Sequence, residues 1–348
     1  MTVDTTLAQL SNVLIYSAML VYTGSLGAFT TDLSVRGRRR AEDQSVAVEV
    51  KAEAVAVGAV AVGAVAGSKA AADDALVEAD APAGADDALV EADGSTSRAG
   101  RVAVSLTWLA FALHLGGVVL RGASVSRVPW GNAYEFAITG AVVVTAVFLV
   151  TMMRRDARYL GTFVVGPVLL TLGMAVVVFY VQADQLVPAL QSFWLVIHVS
   201  VAFVGAALFT LGFSTTILQL VQERREQARA GGHEPTRGRF MDALPSSAQL
   251  EGSSYSLHMI AFPLWTFTLV AGAIWAEGAW GRYWNWDPKE VWSFVIWVVY
   301  AGYLHARATR GWDGRRAAYF ALAGYACIII NFTVVNLLFK GMHTYSGM

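Results

Sequence analysis

Eight apolar stretches dominate this sequence, near 12–31, 102–121, 133–153, 160–181, 194–221, 255–275, 289–308 and 316–339. Each is about as long as a helix must be to cross a bilayer core about 30 Å thick. Runs this long and continuous do not alternate as barrel strands do. The expected fold class is therefore all-α, a polytopic membrane helix bundle of about eight transmembrane helices. Composition agrees: charged residues make up 15% and hydrophobic residues 56%, against about 25% charged in a soluble domain. The net charge of −1 excludes a generally basic nucleic-acid binder. The single cysteine, Cys327, excludes an internal disulfide, a CxxC pair, a thiolate zinc site and covalent haem attachment to this chain.

Arginines set the expected orientation. Arg36, Arg38, Arg39 and Arg40 follow the first stretch, and Arg154, Arg155 and Arg158 the third. Arg224, Arg225 and Arg229 follow the fifth, and Arg307, Arg310, Arg315 and Arg316 lie between the seventh and eighth. The alternate loops hold few cations, such as Arg127 and Arg282. The positive-inside rule makes the arginine-rich loops cytoplasmic and puts both termini outside. The first stretch lacks a basic n-region, so it reads as a retained helix rather than a cleaved signal.

Three regions follow: a first helix over 1–32, a cytoplasmic insert over 33–101, and a seven-helix unit over 102–348. The insert holds the low-complexity run VAVGAVAVGAVAG (55–67) and two copies of ADDALVEAD, at 72–80 and 85–93. The run is too short to span, and two acidic nonapeptides do not build a solenoid, so disorder is expected and no chemistry is assigned.

The loop before the seventh stretch reads WAEGAWGRYWNWDPKEVW (275–292). Trp275, Trp280, Trp284, Trp286, Trp292 and Trp297 concentrate more than half of the eleven tryptophans around it. Two readings stay open: an aromatic belt at the headgroup level, or a platform for a large, flat, apolar ligand. Asp287-Pro288-Lys289-Glu290 predicts a rigid helix start, with Asp287 as N-cap, Pro288 at the first helical position and Glu290 closing a capping box.

His198, near the outer end of the fifth stretch, and His343, just past the eighth, fall on the same side as this loop. Two neutral imidazoles suit an axial pair on haem iron. His305 lies about 25 Å inward of Pro288, and His114 sits near the midplane, so the two make a poor pair. His114 reads equally as a buried polar contact, His258 as an inner-interface residue, and His233 as a solvated loop residue.

WGRYWNWDPKEVW resembles the WWD signature of haem-handling proteins, and YLHAR follows it as in the CcsA/ResC branch of system II cytochrome c biogenesis. WGNAYEF (130–136) and NLLFKGMHTYSG (336–347) are similar to further segments of that family. The likeness covers about 100–348 and the first helix. It implies that Trp280, Trp284, Trp286 and Asp287 form a haem platform, and that His198 and His343 are external haem ligands. It implies His305 as an intramembrane ligand, with a second ligand supplied by a membrane partner of the ResB/CcsB type. His114 is carried as a further candidate ligand. The implied cargo is haem b, bound and delivered by the haem-handling subunit of a cytochrome c synthase complex. Its implied partners are an apocytochrome c with a CxxCH segment and a thioredoxin-like thiol reductant. The implied location is a bacterial plasma membrane, or a thylakoid membrane in a plastid, with the WWD loop extracytoplasmic. A haem exporter without ligation activity, a membrane electron-transfer cytochrome and a lipid- or glycan-handling protein remain as alternatives.

Overall fold

A computed structural model describes residues 3–65, 97–184, 190–233 and 238–343. Eight long helices carry the fold: α1 Thr5–Val65, α2 Arg98–Ser124, α3 Ala133–Arg154, α4 Gly161–Val177, α5 Phe193–Ala230, α6 Ser247–Trp280, α7 Pro288–Arg310 and α8 Gly314–Phe332. A short α9, Val334–Leu338, follows. The described residues contain no strand. Among the described residues, seven helices are long and apolar enough to cross a membrane, so the chain is a polytopic helical membrane protein.

The exception is α7, where tryptophans, tyrosines, His305 and arginines lower the hydropathy of the expected seventh span. Its 23 residues still reach about 34 Å at 1.5 Å per residue. Lys289 at its start bonds Asn331 near the end of α8, while Arg307 at its other end pairs with Glu251 at the start of α6. Thus α7 runs the height of its neighbours.

The four arginine-rich connections meet at one end of the bundle. Arg36, within α1 beyond its apolar stretch, reaches Asp156 between α3 and α4 at 3.8 Å. Arg40 donates to the Leu244 carbonyl between α5 and α6 at 3.1 Å. Arg315 at the start of α8 reaches Glu223 near the end of α5 at 3.0 Å. The opposite end gathers Asp4, whose amide donates to the Ser124 carbonyl, together with the tryptophan loop and His343.

One core joins α1 to α4 and another joins α5 to α8. Small residues let α1 and α2 approach: Ser11 donates to the Gly117 carbonyl at 2.7 Å, and Ser25 meets Thr107 at 2.7 Å. Such small and hydroxyl side chains are what hold helices together when lipid removes the hydrophobic drive.

Within the insert expected to be disordered, α1 continues from residue 33 to Val65. Residues 38–57 contain neither glycine nor proline and are rich in alanine, valine, glutamate and arginine. Helix propensity therefore prevails over low complexity. Both acidic repeats lie outside the described residues.

Candidate functional site

The site begins with the cap on α7. Asp287 is its N-cap, Pro288 opens the helix, and Glu290 closes the capping box, as the sequence predicts. Glu290 Oε2 accepts from the Asp287 amide at 3.1 Å and from the Asn285 amide at 2.9 Å. This ties the tryptophan loop to the first turn of the helix.

Asp287 also faces the C-terminal segment. Its Oδ2 accepts a hydrogen bond from His343 Nδ1 at 2.8 Å, and its Oδ1 accepts from the Met342 amide at 2.7 Å. Burial acts to raise the Asp287 carboxyl. The His343 imidazole and the Met342 and Lys289 amides outweigh it and hold the carboxyl below the usual carboxylate range.

His198 comes to the same place from α5. Its Nδ1 lies 2.9 Å from the Thr268 carbonyl on α6, so it donates there. One turn further along α6, Gly272 makes room for the ring: a Cβ there would come within 2.8 Å of His198 Nδ1. Each imidazole therefore commits Nδ1 to an oxygen acceptor, which fixes the tautomer and leaves Nε2 with its lone pair. Both rings pack on Trp275. His198 stacks on it at 6.3 Å and 13°, and His343 lies 5.7 Å away at 58°. Trp280 closes the group at 4.9 Å from His343 and 4.7 Å from Trp275.

The other loop indoles form a second surface. Trp284 meets Trp286 edge-on at 5.8 Å and reaches Phe294 on α7 at 6.5 Å. Trp286 is 68% exposed and adopts a left-handed backbone with φ 59°. A bulky side chain in that region costs about 1–2 kcal/mol, and such strain concentrates where a side chain must point a particular way. Trp286→Gly is therefore expected to leave the melting temperature unchanged or raised while haem per protein falls. An unchanged haem content, measured against an antibody-quantified band, favours the belt.

The remaining histidines do not join this group. His114 is fully buried, edge-on to Tyr22 at 6.0 Å, in the α1–α3 core. His258 is fully buried among Phe209, Tyr300 and Tyr303, with Nδ1 on the Ser254 carbonyl at 2.8 Å. His305 is exposed on α7, and His233 is exposed beyond α5. Among the described residues no group of three metal-binding side chains occurs. Sequence reasoning missed Thr268 and Gly272. Their spacing of four puts both on one face of α6, a signal that matters only once α5 is known to pack there.

Comparison with known proteins gives a consistent result. The family model described as cytochrome C assembly protein matches residues 102–343. A cytochrome c biogenesis protein CcsA from Synechococcus elongatus is 33% identical over 287 residues, covering 71% of this chain and 86% of that one. A protein of the same name from Porphyra purpurea is 32% identical over 252 residues, covering 63% and 79%. Among solved structures, the cytochrome c haem lyase CcmF superposes with a TM-score of 0.58 at 15% identity. It covers 95% of this chain, which spans 47% of the length of that one. That likeness is one of fold alone.

Proposed function

From the premise that the chain belongs to the CcsA/ResC family of cytochrome c assembly proteins and serves cytochrome c maturation, we propose that its outer end holds haem b as cargo for attachment to an apocytochrome. The observation that carries this is the matched pair of imidazoles. His198 and His343 both have Nδ1 anchored, both leave Nε2 for iron, and both pack beside the same indole. Two such nitrogens are an axial pair for haem, and Trp275 and Trp280 offer its apolar faces a dry wall.

His305, exposed on α7, serves as an intramembrane haem ligand. Since neither His114 nor His258 reaches it, the second ligand comes from a ResB/CcsB-type partner packed on that face. Haem then passes to the outer pair, where Trp284 and Trp286 line the approach. An apocytochrome CxxCH, kept reduced by a thioredoxin-like protein, adds each thiol across a haem vinyl group. The sulfur bonds one vinyl carbon and the thiol proton ends on the other, so the addition needs no external oxidant. The chain's contribution is proximity and orientation.

Thioether formation decides between ligation and simple export. The full chain, purified with its partner and incubated with haem and a reduced CxxCH peptide, is expected to yield covalent haem-peptide. Haem release without a covalent product supports an exporter. The expected setting is a bacterial plasma membrane, or a thylakoid membrane if the gene is plastid, with the tryptophan loop outside. A reporter active only outside the cytoplasm should give signal when fused after residue 343 and none when fused after residue 230. The reverse pattern inverts the orientation.

A further inference from the structure

His343 lies beyond the last regular helix, and something must hold it in place. α8 ends at Phe332, Thr333 interrupts the helix with φ −111° and ψ −75°, and α9 lasts five residues. A helix that short does not sustain itself in isolation. Residues 333–343 therefore take their course from what they touch.

What they touch is the first turn of α7. Lys289 Nζ donates to the Asn331 carbonyl at 2.9 Å and to Asn336 Oδ1 at 2.7 Å. The same ammonium lies 4.7 Å from the centre of the Phe332 ring. It is thus placed on the carbonyl end of α8, where a cation is favoured. Ser293, one turn along, donates to the Lys289 carbonyl at 2.7 Å and accepts from Asn331 Nδ2 at 3.1 Å. Two residues before Lys289, across Pro288, Asp287 takes the Met342 amide and the His343 ring. The segment from Asn331 to His343 is thereby fastened at both ends to the start of a rigid, capped helix, by Lys289 and Ser293 at one end and Asp287 at the other.

We propose that Lys289 is a positioning residue for His343: by gripping Asn331 and Asn336 it sets the path that brings the imidazole to Asp287 and to the outer iron. The proposal rests on His343 being an outer haem ligand. Lys289 makes no hydrogen bond to His343 and acts on it through the chain between them, although its charge also reaches His198. Groups that orient a metal ligand from behind are worth about 10–100-fold in affinity or activity.

The test uses the full chain with its partner, loaded with haem, comparing Lys289→Met, Lys289→Arg, Asn336→Leu and His343→Ala. The readouts are protein level, ferric haem spectrum, added imidazole and cytochrome maturation. Lys289→Met is expected to lower maturation about tenfold at normal protein level and to shift the outer haem from low-spin toward high-spin. Added imidazole should reverse both changes. Lys289→Arg should recover part of the loss, since a guanidinium also donates to two oxygens. Asn336→Leu, which removes one acceptor and leaves the lysine, should show a weaker form of the same defect. A low-spin spectrum and full maturation in Lys289→Met overturn the proposal. So does a loss that follows protein level and ignores imidazole, since that marks a structural role alone. If His343→Ala itself leaves the outer haem spectrum unchanged, the outer-ligand reading falls, and the proposal with it.

Discussion

His198→Ala and His343→Ala are each expected to abolish cytochrome c maturation at unchanged protein level, whereas His233→Ala has no effect. Each imidazole presents a single free nitrogen, Nε2, with Nδ1 held by the Thr268 carbonyl or by Asp287. With iron held as proposed, truncation removes that nitrogen and opens an axial position. Haem at the outer end should become high-spin and be retained poorly. Added imidazole should restore both the spectrum and part of the activity, because a free ring can enter the space left by the side chain. His233 is exposed beyond α5 at the other end of the bundle, so its loss reports on nothing near the iron. Normal maturation by both alanine variants would show that the outer site lies elsewhere.

The parts of this site legible in the sequence were those that local chemistry writes. An aspartate, a proline and a glutamate in the order Asp287-Pro288-Lys289-Glu290 cap a helix regardless of what packs around it, and the structure has that cap. The eight helices were legible because each carries an apolar stretch about as long as a bilayer crossing needs, even where the helix itself runs on. Four arginine-rich loops at one end followed from charge. What packing decides was not legible. Trp275 looked like one indole among six, yet it is the ring on which both histidines lie. Lys289 enters the sequence reading only as part of the capped turn, yet its ammonium bonds the end of α8. Low complexity after residue 33 points to disorder, while residues 38–57 carry neither glycine nor proline and α1 continues through them to Val65. In each case the deciding partner is distant in the chain or the competing local term was underweighted.

Glu135→Ala is expected to destabilise the protein by about 3–5 kcal/mol, the usual effect of leaving a buried charge without its partner. Glu135 and Arg121 are both fully buried, 3.0 Å apart. Arg127 adds a second contact to the same carboxylate at 2.7 Å, and the Gly131 amide a third at 2.9 Å. The two arginines extend to the Val181 and Asp184 carbonyls at 2.8 and 2.6 Å. One carboxylate in WGNAYEF thus fixes the start of α3 to the end of α2 and to the chain leaving α4. The next residue carries this toward the proposed haem site: Phe136 packs 4.6 Å from Phe203 on α5 and 5.5 Å from Phe332 at the end of α8. Those helices bear His198 and lead to His343. Glu135→Ala should therefore lower the melting temperature and also loosen the outer site, with haem retention falling while both iron ligands remain. Added imidazole should not repair this variant, because no axial position has been vacated. Glu135→Gln, which keeps an acceptor oxygen and loses the charge, should fall between the wild type and alanine. An unchanged melting temperature in Glu135→Ala would mean that Arg121 finds another partner when the carboxylate is removed, and that α3 is set by its apolar packing alone.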